Sequence, residues 1–276
     1  MRRTLPTLAL CAALLSSSAS VEASAPTAPP GQTFSYGEHA RQNVTVYGEG
    51  GGPALMILHG GSWVRDTDWS GWARWFAARG FTVYDTDYRL ATDAAWPAQR
   101  DDVLAALRWV ELRSGERPLV LGSSAGGHLA LSAGAYGAGG TRVRGVVALS
   151  PVASPYLAWA DGGRPTASSA QRGLRRSAQL LAGCSPDRGG QRCWNRWGDL
   201  AAKSHASGAD DAPMLLVHSA EDFVPVAHST ELAGTQQELG MRDATVCVEP
   251  GAAHGGVLLK DPRLTQAVLR WLRQHS

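Results

Sequence analysis

The stretch Pro118-Leu119-Val120-Leu121-Gly122-Ser123-Ser124-Ala125-Gly126 decides the fold. Four residues suited to a short buried strand run straight into Gly-x-Ser-x-Gly, and the residues from Ala125 to about Ala135 have the apolar pattern of a helix. A sharp strand-to-helix turn of this kind is a nucleophile elbow, with Ser124 at its tip. Small flanking residues are needed there because neighbouring backbone packs close, and the helix N-terminus favours negative charge beside the serine oxygen. Ser123 is a serine too, but only Ser124 has glycines, Gly122 and Gly126, at both flanking offsets. In a chain with 32 glycines the five-residue pattern alone carries little weight; its place between strand and helix gives it meaning.

Outward from the elbow, strand-like and helix-like segments alternate. Strands are expected at Thr33–Tyr36, Asn43–Tyr47, Ala54–Leu58, Phe81–Asp85 and Val143–Leu149, with helices at Trp69–Ala78 and Ala98–Leu112. From about Ser154 to Asp211 the alternation stops, and short helical pieces such as Leu174–Leu181 lie among Gly, Pro and Arg. It resumes with strands at Met214–His218 and Thr245–Val248 and helices at Val226–Leu239 and Val257–Leu272. The expectation is one α/β domain over residues 26–276, a mostly parallel sheet with helices on both faces and a small cap inserted at about 154–211.

Three further elements stand at the ends of expected strands. His59-Gly60-Gly61-Ser62-Trp63 follows the Ala54–Leu58 run, and a glycine-rich turn there can aim N–H groups of Gly60 and Gly61, with that of Ala125, at a developing oxyanion. Asp222 follows the Met214–His218 strand, and His254 follows the last strand. The order serine, acid, histidine gives each a role: His254 takes and returns the Ser124 proton while Asp222 fixes the imidazole tautomer. Glu221 is the nearest rival to Asp222. Among the eight histidines, His218 reads as a hydrogen-bonded core group, His128 as a packing group behind the elbow, and His59 as structural. His39, His205, His228 and His275 have only a surface or turn reading.

Composition narrows the function classes. Net charge is only +2, too weak a field to argue for nucleic acid. Only Lys203 and Lys260 of the 26 basic residues are lysines, so arginine is favoured throughout. Between Asp161 and Asp199 seven arginines stand against three aspartates, a balance that suits either acidic substrates or a solvated surface. Residues 1–25 read as a cleaved export signal: Arg2 and Arg3, an apolar run from Leu5 to Leu15 too short to span a bilayer, then Ala23-Ser24-Ala25. The expected location is secreted, or periplasmic if the host has an outer membrane. Of the cysteines left after cleavage, Cys184 and Cys193 share a loop where a bridge is sterically easy, and Cys247 reads as a small buried hydrophobe. No Cys/His spacing suggests a metal, and no cofactor is called for.

The motifs quoted above, with Asp87-Tyr88-Arg89-Leu90, Trp96-Pro97, Asp101-Asp102 and Ser150-Pro151, resemble the HGG-motif esterase/lipase group of α/β-hydrolases. The likeness is to bacterial feruloyl/acetyl-esterase-like and kynurenine-formamidase-like members and extends from about Ser35 to the C-terminus. It implies a serine esterase acting on carboxylic esters through an acyl-enzyme, with an amide or formamide hydrolase, or a silent binding protein of the same fold, as alternatives. The expected partner is a small-molecule or polymer-linked ester, with no nucleic acid and no stable membrane insertion; the oligomeric state stays open. Trp63, beside the glycine turn, is expected to line the substrate pocket. Trp69, Trp72 and Trp75 are expected to pack, and Trp194 and Trp197 either pack the cap or face a ligand.

Overall fold

The structure, a computed structural model, describes residues 31–276. The export signal lies outside the described residues. Eight strands form one sheet: β1 (Gln32–Ser35), β2 (Asn43–Tyr47), β3 (Ala54–Leu58), β4 (Thr82–Thr86), β5 (Leu119–Ser123), β6 (Gly145–Leu149), β7 (Met214–Ser219) and β8 (Ala244–Glu249). Their spatial order is β1-β2-β4-β3-β5-β6-β7-β8. The pairs β1–β2 and β2–β4 are antiparallel, and every later pair is parallel. Parallel strands covered on both faces read as continuous apolar runs, and β3, β5 and β6 are buried at every position.

Side chains alternate across the sheet with period two. Leu55 and Ile57 join the core under α1 (Ser70–Ala77) and α8 (Pro262–Gln274), together with Phe76, Val268 and Leu272. Met56 and Leu58 point the other way, onto α2 (Ala98–Ser114), α3 (Ala125–Ala135) and α7 (Ala227–Glu238) through Val103, Leu129 and Leu232. The apolar mean of α3 reflects its position: all eleven of its residues are buried. A near-buried ion pair braces the crossing from β4 to α2, with Arg89 gripping Asp102 through its backbone N–H, Nε and Nη2 at 2.6–3.1 Å.

The insertion after β6 holds α4 (Pro155–Asp161), α5 (Ser169–Ala182) and α6 (Gly190–Leu200). Its local chemistry is orthodox: Ser154 caps α4 ahead of Pro155, Ser168 and Gln171 form a capping box, and Gly183 ends α5 in the left-handed region. Leu174, Ala178 and Leu181 give α5 its buried stripe. Cys184 and Cys193 are bridged across a separation of nine residues. Cys247 is 1% exposed on the α1/α8 face, but it is disulfide-bonded rather than the plain buried hydrophobe expected.

The last helix differs from its expectation. Residues Gly255–Lys260 form a 3₁₀ turn, and α8 starts only at Pro262. The reason is local: the Asp261 side chain accepts the Arg263 N–H at 2.8 Å and Pro262 takes the first helical position, a start signal that the apolar run Val257-Leu258-Leu259 obscures. His228 also departs from its surface reading, being 1% exposed on the inner side of α7.

Candidate active site

The carboxyl ends of β3, β5, β6, β7 and β8 lie side by side along the sheet and deliver the site residues to one edge. Leu58 of β3 stands opposite Gly122 of β5, so the His59-Gly60-Gly61 turn emerges beside the elbow. Ser124 sits at φ 53° and ψ −111°, immediately before α3, and its N–H donates to Leu149 O at 2.8 Å. Two glycines make this turn possible. A Cβ on Gly122 would lie 2.3 Å from Gly126 O, and one on Gly126 would lie 2.2 Å from Leu58 O. Positive φ at a serine stores strain of order 1–3 kcal/mol, which the packed strands on either side hold in place.

Asp222 and His254 are brought together. His254 Nδ1 lies 2.9 Å from both carboxylate oxygens of Asp222, whose side chain is fully buried while that of His254 is 26% exposed. Burial disfavours the ionised form of Asp222. The hydrogen bond and charge of His254, the Ser150 hydroxyl and the Val224 N–H outweigh it and hold the carboxyl below its usual range. Glu221, by contrast, is exposed, with its backbone N–H bonded to Gly251 O. The Phe223 ring lies 4.4 Å from that of His254 and walls it on one side.

Ser150 is the group that sequence reading passed over. It is fully buried at φ 46°, and its Oγ accepts the Gly255 N–H at 3.0 Å while its hydroxyl faces Asp222. One side chain at the end of β6 thus ties the acid to the residue after His254. Ser123 Oγ does a parallel job, accepting the Gly256 N–H at 3.2 Å. The only hint in the sequence was Ser-Pro at the end of an expected strand.

A cleft of about 760 Å³ opens over these residues, lined by Gly60, Gly61, Ser124 and His254. Ala125, the third expected oxyanion donor, is the first residue of α3 and is buried directly behind Ser124. Trp63 does not line this cleft. Its φ of 60° turns the ring inward to 0% exposure, where Nε1–H donates to His128 Nδ1 at 3.2 Å. Trp69, Trp72 and Trp75 pack in or against the core as expected, and Trp69 and Trp72 also reach the cleft wall, which Leu174 and Arg176 of α5 line as well. Trp194 and Trp197 stand outside it: Trp197 is buried, with Nε1–H on Cys184 O, and Trp194 is 44% exposed beside Tyr156.

The remaining histidines serve structure. His59 Nδ1–H donates to Gly60 O at 2.7 Å and its ring stacks on Tyr88 at 4.4 Å, while burial draws its pKa down. His218 donates from Nε2 to Val224 O at 3.1 Å and accepts from Ser229, holding the loop that carries Asp222. His128 donates from Nε2 to Leu200 O at 2.7 Å, and His228 Nδ1 accepts the Ser154 N–H at 3.2 Å. Burial lowers the pKa of His128 and His218 to about 4 and that of His228 to about 3. Among the described residues no group of three or more His, Cys, Asp or Glu is placed to hold a metal ion, and no helix is long and apolar enough to cross a membrane.

The chain has the α/β-hydrolase fold and is similar to the HGG-motif esterase/lipase group. Within it, residues 46–142 match the BD-FAE family. A 91-residue segment, 30% of the chain, is 37% identical to Esterase LipC of Mycobacterium tuberculosis, covering 23% of that protein. A 95-residue segment, 29% of the chain, is 26% identical to Dipeptidyl aminopeptidase BIII of Pseudoxanthomonas mexicana, covering 14% of it. The matched segments thus span under a quarter of either relative's length. Among solved structures, Esterase B from Lactobacillus Rhamnosis superposes with a TM-score of 0.70 at 20% identity, covering 92% of this chain and 88% of that one. A truncated carbohydrate esterase from gut microbiota superposes at 0.73 and 19% identity, covering 92% and 98%.

Proposed function

We propose that the protein is a serine esterase that hydrolyses carboxylic esters through an acyl-enzyme on Ser124. The observation that carries this reading is the pairing of His254 Nδ1 with both oxygens of Asp222 at 2.9 Å, with His254 and Ser124 lining one cleft. The match to the BD-FAE family and the likeness to esterases of the same fold support it.

Because the carboxylate holds the Nδ1 proton, His254 Nε2 is free to accept the Ser124 proton as Oγ attacks the ester carbonyl. The tetrahedral oxyanion is met by backbone N–H groups of Gly60, Gly61 and Ala125, donors that each typically contribute 10²–10³ in rate. Collapse breaks the ester bond, and the alcohol leaves with the proton from His254. Water, deprotonated by the same imidazole, then releases the acid and regenerates Ser124.

The reading extends to an exported protein, supported by the leader pattern of residues 1–25 and by the Cys184–Cys193 disulfide, since such bridges persist in oxidising compartments.

A fluorophosphonate probe tests the nucleophile: the protein is expected to be labelled at Ser124, and Ser124→Ala to resist labelling and to hydrolyse none of a panel of aryl esters of graded acyl length. Undiminished hydrolysis by Ser124→Ala would overturn the reading.

A further inference from the structure

Three cationic side chains reach the cleft from three separate pieces of chain: Arg65 from the turn after Trp63, Arg176 from α5, and Lys260 from the turn that follows His254. All three are exposed. Cations elsewhere commonly have a partner. Arg41 pairs with Asp66 and Asp93, Arg89 with Asp102, Arg100 with Asp199, Arg144 with Glu116 and Lys203 with Glu231, while Arg113 and Arg175 lie over tryptophan rings. Among the described residues no carboxylate stands within 4.0 Å of Arg65, Arg176 or Lys260. The one carboxylate in the cleft wall, Asp68, accepts the Ser70 N–H at 2.9 Å and has Arg74, outside the cleft lining, as its cationic neighbour.

Unpaired cations converging on a concave, partly apolar wall focus the field there more than the same charges spread over a convex face. Their charges are not offset by any protein carboxylate within ion-pair distance. We propose that the cleft selects esters that also carry a carboxylate, which Arg65, Arg176 and Lys260 hold while Trp69, Trp72 and Phe223 cover the apolar body of the substrate. This inference rests on the esterase reading for its chemistry, but its charge preference is measurable apart from turnover.

The carboxylate can belong to the acid part of the ester or to its alcohol part, and two matched probe pairs separate these sources. One pair is 4-nitrophenyl hemisuccinate against 4-nitrophenyl butyrate; the other is 4-acetoxybenzoate against its methyl ester. The readout is the anionic-to-neutral ratio of kcat/KM in the wild type and in Arg65→Gln/Arg176→Gln/Lys260→Gln. The ratio for at least one pair is expected to fall about tenfold in the triple variant, through KM, and to shrink with added salt in the wild type. Arg188→Gln/Arg192→Gln, which removes exposed arginines outside the cleft lining, is expected to leave the ratio in place. If the triple variant leaves both ratios unmoved, the inference is overturned. Calorimetric binding to Ser124→Ala decides independently of turnover: tighter binding of an anionic ester, lost when the three cations are removed, supports the inference even if the wild type hydrolyses neither member of a pair. Equal binding of anionic and neutral esters overturns it.

Discussion

In the sheet and its covering helices the site residues are positioned by close backbone packing, whereas the insertion between Ser154 and Asp211 is attached at scattered points, by backbone bonds such as Trp96 N–H to Leu181 O at 2.8 Å and by side chains. At the elbow, Gly122 meets Gly126 and Gly126 meets Leu58 with no room for a methyl group. Ser150 and Ser123 then tie the histidine loop to the ends of β6 and β5 through backbone N–H groups. The cap is attached by the Trp96–Leu181 backbone bond together with the His128–Leu200 bond, the Ser154–His228 bond, and Asp199 clasped by Trp96 and Arg100. It is stitched within itself by the Cys184–Cys193 bridge. The difference teaches a division of labour: the body carries Ser124, Asp222 and His254, and the cap contributes Leu174 and Arg176 to the wall of the cleft above them.

The sharpest way to separate the two regions is to remove chemistry without touching the cap. Ser124→Ala is expected to lower kcat/KM by about 10⁴-fold or more with an unchanged thermal midpoint, measured by aryl-ester turnover and calorimetry. Acid is expected to act on the buried histidines, two of which, His128 and His228, join the regions. His128, His218 and His228 stay neutral in the fold down to about pH 4, 4 and 3, whereas unfolded histidines take up protons below about 6.5. The unfolded state therefore binds more protons as pH falls from about 6.5 to 4, and stability drops across that window by several kcal/mol. A thermal midpoint that stays flat between these values would break this account.

Smaller still is the cap's own stitch. Cys184→Ser with Cys193→Ser is expected to cost about 2–3 kcal/mol in the chain-entropy model, with faster hydrogen exchange confined to α5 and α6. Loss of protection in β5 and β6 as well would mean that body and cap unfold as one unit. Ser150→Ala is expected to have the smallest effect, about tenfold in kcat with KM little changed, since it loosens the acid–histidine frame while leaving both groups present. The same loss without a hydroxyl facing Asp222 raises that carboxyl's pKa, so the acid limb of the rate profile should move to higher pH.

Body and cap also differed in how far the sequence disclosed them. The boundaries of β3 and α3 follow directly from apolar runs closed by Tyr or turn residues, because burial on all sides leaves no other pattern. The gathering of Ser124, Asp222 and His254 at one edge of the sheet was legible through strand ends, where side chains from distant parts of the chain must converge. Trp63 was misplaced because a positive φ at a non-glycine residue has no signature in composition, and it reverses which side a ring faces. His228 was missed because α7 has almost no apolar periodicity: its inner face carries His228, Ser229 and Gln236 among the leucines and alanines. Ser150 was invisible as a functional group because its partners, Asp222 and Gly255, lie more than seventy residues away.

Trp69 and Trp72 line the same cleft as Ser124, with Trp69 5% exposed and packed under Gly256. An indole in that setting responds optically to whatever displaces the water beside it. The protein therefore carries its own reporter of occupancy: a ligand that quenches or blue-shifts emission in the wild type, and fails to do so in Trp72→Phe, has entered the cleft. Binding can then be followed in real time without labelling the chain or waiting for a product.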